Sequence, residues 1–88
     1  MSLPPEMMRL LTETLERLGV SVEHVRLEEH LTGGGLCNVR GKRIVYLDRD
    51  NSQDVNLRLL TDAVVAVSDD NTYLAPAVRE WIEGTRRI

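Results

Sequence analysis

The chain has 88 residues, 42% of them apolar and only 3% aromatic, with a formal net charge of −3. A chain this short has room for one small core, and its single Cys excludes both a disulfide framework and a four-Cys zinc site. One Trp, two Tyr and no Phe leave little surface for stacking bases or sugars, and no apolar run approaches the roughly 18–20 residues that span a bilayer.

Residues 1–4 read as a tag or a disordered lead, and the remainder of 1–88 as a single domain. Pro4-Pro5 suits a first helical turn, and Met7, Leu11, Leu15 and Leu18 then recur at helical spacing, widened by Met8 and Leu10. Gly19 stands where a left-handed residue stops a helix, so a helix is predicted over 5–18. The stretch from Val20 through Val22, Val25, Arg26 and Leu27 is β-prone. Its alternation slips between Val22 and Val25, which predicts either two short pieces or one bulged strand. Thr32-Gly33-Gly34-Gly35 is a break.

Two further β-prone runs, Leu36 to Arg40 and Arg43 to Asp48, flank Gly41-Lys42 and read as a hairpin around that two-residue turn. The second arm is apolar on both faces, with Ile44 and Tyr46 on one and Val45 and Leu47 on the other. Such a strand is central in its sheet or covered by another chain. A second helix is predicted over 52–67, its seam formed by Leu57, Leu60, Val64 and Val67, with Val65 on the wet side beside Arg58, Thr61 and Asp62. Pro76 opens a last short helix carrying Ala77, Val78, Trp81 and Ile82 and ended by Gly84. The predicted class is α+β in the order α-β-β-β-α-α, a three-stranded antiparallel sheet packed by helices.

Charge is unevenly placed. Residues 38–49 are basic through Arg40, Lys42, Arg43 and Arg49, whereas residues 50–85 hold seven acids against Arg58 and Arg79. An acidic whole disfavours nonspecific nucleic-acid binding, and the basic stretch reads as a solvated hairpin tip.

The chemical motifs are incomplete. The glycines 33–35 with Gly41-Lys42 miss the phosphate-loop spacing and lead into a strand where a helix N-terminus is needed. Asp48, Asp50, Ser52 and Asp54 alternate as in a calcium loop, but the sixth and twelfth positions hold Gln53 and Leu59 where Gly and Glu belong. The bland reading is a strand end followed by capping residues. His24, His30 and Cys37 match no zinc spacing. Cys37 lies near Arg40 and Lys42, which could favour a thiolate or hold a small anion, although an unpaired Cys ordinarily packs as a small hydrophobe.

At Gly34-Gly35-Leu36-Cys37, Arg40-Gly41-Lys42, Leu47-Asp48 and Tyr73 to Glu80 the chain resembles a family of short bacterial hypothetical proteins, over roughly residues 15–83. The resemblance implies a single bacterial domain and carries over no functional residue. A fainter similarity, to small zinc-dependent peptidase-like domains, puts Asp62, Ala63 and Ala66 where two His and a Glu belong. It implies a shared scaffold with no zinc chemistry to run.

These readings converge on a non-enzymatic, cytoplasmic domain with no cofactor, no catalytic or metal residues and no membrane contact. It is expected to work by protein association, most simply as a homo-oligomer, with Ile44, Tyr46 and Val65 at the interface. The alternative is a thiol or small-anion site at Cys37, Arg40 and Lys42.

Overall fold

The computed structural model describes residues 3–26 and 34–86. The expectations resting on Leu27, His30, Thr32 and Gly33 lie outside the described residues. The elements run α1 (Pro4–Arg17), β1 (Ser21–Val25), β2 (Gly34–Val39), β3 (Lys42–Asp48), α2 (Gln53–Val67) and α3 (Pro76–Arg86). The fold is therefore α+β in the expected order.

Local chemistry explains most boundaries. Pro4 and Pro5 fill the first turn of α1, where no intrahelical donor is required. At its far end Gly19 takes φ +83°. Its N–H donates to the Glu16 carbonyl at 3.1 Å, and the Val20 N–H donates to the Leu15 carbonyl at 2.9 Å. This paired closure satisfies two orphan carbonyls, and it is sealed by the buried side chains of Leu15 and Val20. The alternating polar residues before α2 act as caps: Asp48 Oδ1 accepts from the Asp50 N–H at 2.9 Å, and Ser52 Oγ accepts from the Val55 N–H at 3.3 Å. Buried Asn56 locks that junction, donating to the Asp48 carbonyl and accepting from Asn51 Nδ2, both at 3.2 Å.

The sheet differs from the antiparallel expectation. Its order is β1-β3-β2; β2 and β3 pair antiparallel, but β1 lies on the far side of β3 and runs parallel to it. The sheet is mixed because β1 and β2 are not hairpin neighbours: they lie on opposite sides of β3, and β2 starts at the end of the sheet where β1 finishes. The β1 ladder runs unbroken from Ser21 opposite Ile44 to Val25 opposite Asp48, so among the described residues there is neither a second piece nor a bulge. The Arg49 N–H extends it by donating to the Val25 carbonyl at 2.8 Å.

The hairpin turn is also shifted by one residue. Its central pair is Arg40-Gly41, with φ +53° and +82°, and Lys42 belongs to β3. Two positive φ values define the turn that matches the right-handed twist of paired strands, and Asn38 Oδ1 accepts the Gly41 N–H at 3.1 Å. The helix α3 continues through Gly84 to Arg86, since an isolated Gly only weakens a helix interior.

One core joins all three helices to one sheet face. Val45 and Leu47 of β3 are fully buried with Leu11 and Leu15 of α1, Leu60 and Val64 of α2, and Val78 of α3. Arg43 Nη2 donates to the Leu18 carbonyl at 3.1 Å, fastening the end of α1 to the start of β3.

Candidate functional site

Strand side chains alternate between faces. With Val45 and Leu47 turned into the helices, Lys42, Ile44, Tyr46 and Asp48 point the other way. The ladders place Cys37 and Ser21 beside Ile44, Glu23 beside Tyr46, and Val39 beside Lys42. Ile44, Tyr46 and Cys37 are half-buried, and Val39 is 39% exposed. Among the described residues no helix covers this face, since the buried side chains of all three helices belong to the core on the other side.

Most of the residues singled out in the sequence therefore meet on one surface. Cys37 and Lys42, expected at a ligand site, share it with Ile44 and Tyr46, expected at an interface. Arg40 stands at the hairpin tip, held in the left-handed region by the turn. Val65 is not part of this face; of the side expected to be wet, Arg58 and Asp62 are exposed, but Thr61 and Val65 are not. Thr61 is buried and Val65 is half-buried, because α3 lies against that flank of α2. The Trp81 indole N–H donates to Thr61 Oγ1 at 2.9 Å, while the Thr61 hydroxyl donates to the Leu57 carbonyl at 2.7 Å.

Beside this contact a groove of about 560 Å³ opens between α2 and α3. Its apolar floor is Leu57, Val65, Ala66 and Trp81. Its α2 rim carries Asp54, Arg58 and Asp62, one helical turn apart. The sequence signal for it was Val65 next to Thr61 and Ala66, an apolar strip on the far side of the seam, together with the only Trp of the chain. No group of three or more His, Cys, Asp or Glu side chains among the described residues is placed to hold a metal ion. No helix among them is long and apolar enough to cross a membrane.

Comparison with protein-family models, with curated proteins and with solved structures finds no match for this chain.

Proposed function

We propose that the protein is an association module that pairs with a second copy of itself across the uncovered sheet face. The observation that carries this reading is the central strand β3, whose Ile44 and Tyr46 side lacks, among the described residues, the helical cover that its Val45 and Leu47 side has. The face is also self-complementary. A two-fold axis lying between two such sheets and crossing their strands sets Lys42 of one copy over Asp48 of the other, with Ile44 against Tyr46 at the centre. Charged ends then fix register while the apolar middle supplies the free energy.

The size of the face sets the strength. Three strands and seven residues give a patch of roughly 14 by 23 Å from standard spacings. That is well below the roughly 800 Å² per partner of a standard interface, so a concentration-dependent dimer in the micromolar range is expected. Light scattering coupled to size exclusion, run over a hundredfold concentration range, should show the mass rising from one chain to two. Ile44→Asp, which puts a charge at the centre of the face without touching the core, should shift that rise to markedly higher concentration. A wild-type protein that remains a monomer at millimolar concentration would remove the reading.

A further inference from the structure

The α2–α3 groove is a second surface that the sheet-face pairing does not use, and its rim has a definite charge order. Asp54, Arg58 and Asp62 present minus, plus, minus along about 12 Å of helix. Asp54 and Asp62 are each four residues from Arg58, so pairs along the helix are open to them. The ion pair found among the described residues is nevertheless elsewhere, between Arg9 and Glu13, and the rim charges are left facing solvent over an apolar floor.

The complementary order occurs on this same chain. On α1, Arg9, Glu13 and Arg17 present plus, minus, plus at the same one-turn spacing. All three are exposed on the helix flank away from the core. Beside that ridge lie Leu3, which is 69% exposed, and half-buried Leu10 seven residues on, two apolar side chains on one side of the helix. A groove between two helices accepts a third helix at about 8–10 Å. Both charge orders read the same in either direction, but only an antiparallel helix also brings Leu3 and Leu10 level with Val65 and Trp81. Packing α2 on the α2 of another copy sets Asp over Asp when Arg58 meets Arg58, and a one-turn shift that pairs Arg58 with Asp54 leaves Asp62 without a partner on the rim.

We infer that the α2–α3 groove receives helix α1 of another copy, with Leu3 and Leu10 against Val65 and Trp81 and with Arg9, Glu13 and Arg17 against Asp54, Arg58 and Asp62. The contact uses different surfaces on the two chains, so it is head-to-tail and extends assembly beyond two chains unless a rotation closes it. Forming it exchanges the Arg9–Glu13 pair, at 2.7 Å within one helix, for pairs between chains. It also draws on Arg17, whose guanidinium lies 6.0 Å from the Tyr73 ring centroid and donates to the Tyr73 carbonyl at 3.3 Å. Exposed pairs are individually weak, so they select the partner and register while the leucines and the indole provide the burial.

The test is a charge exchange at the central pair, read by sedimentation velocity at low ionic strength in an Ile44→Asp background that removes the sheet-face contact. R58E makes the rim uniformly acidic and E13R makes the α1 ridge uniformly basic; both positions are exposed, and circular dichroism checks each fold. The Ile44→Asp chain should still associate. Adding either R58E or E13R alone should weaken that association roughly tenfold. Combining the two, or mixing the two single variants, should restore it or exceed it. Loss with each single change and no restoration on combination overturns the inference, as does an Ile44→Asp chain that is monomeric throughout. An Ile44→Asp chain that associates as strongly as wild type, with E13R and R58E behaving as expected, would instead count against the sheet-face dimer alone.

Discussion

At the scale of single residues, stability and surface shape meet at Thr61. Its hydroxyl is buried, donating to the Leu57 carbonyl and accepting from the Trp81 indole at the same time. Thr61→Val keeps the volume but leaves the indole N–H without its acceptor. Truncating one partner of a part-buried hydrogen bond costs about 1–2 kcal/mol, so urea denaturation should show an unchanged slope and a midpoint lowered by that loss divided by the slope. A red-shifted, more exposed Trp81 fluorescence should accompany it, since the indole also forms one wall of the groove. This pairing was not legible in the sequence. Thr61 falls on the side of α2 away from its Leu and Val seam, and only the placement of α3 buries it. By contrast, Gly19 was legible as a helix stop, because a left-handed closing residue is a local demand met before any tertiary contact forms.

At the scale of elements, the hairpin is the most exacting piece. Its turn holds Arg40 at φ +53°, a conformation that costs an ordinary side chain about 1–2 kcal/mol. Asn accepts that region more readily, and Asn-Gly is the preferred pair for this turn. Arg40→Asn is therefore expected to raise stability by up to about 1 kcal/mol, measurable as a higher melting temperature. A null or negative change would mean that the Arg40 guanidinium contributes more than its backbone costs. At Gly35, φ is +123° while an added Cβ would sit 3.9 Å from Leu59 Cδ2, which is ordinary contact. The backbone conformation, not crowding, requires glycine there. The sequence located both hairpin arms but displaced the turn by one residue, since Arg40 carries no marker of a left-handed conformation and Lys42 beside Gly41 looks equally suited to a turn.

At the scale of the whole molecule, the three helices among the described residues pack their buried side chains against one face of the small sheet. The apolar side chains left on the other face, and those along the groove, are the reason association is proposed. Stability should consequently depend on protein concentration, because assembly stabilises only the folded chain. The melting temperature is expected to rise by roughly 5 °C over a hundredfold increase in concentration, given about 4–8 °C per kcal/mol for a domain of this size. In the Ile44→Asp chain carrying R58E as well, the dependence should set in only at roughly tenfold higher concentration than in Ile44→Asp alone.

The aliphatic composition, the helical periodicities around Leu11 and Leu60, the capping residues and the two-sided character of Ile44 to Leu47 are local or periodic properties, and they determined the α+β class, the order of elements and the apolar strand face. The tertiary structure decided the rest. Whether β1 joins β2 or crosses to the far edge of β3 depends on pairing between strands about twenty residues apart, for which periodicity contains no term. The same holds for Val65, whose surroundings were set when α3 docked. Burial on a helix flank is a property of the neighbour, and the neighbour is chosen by packing.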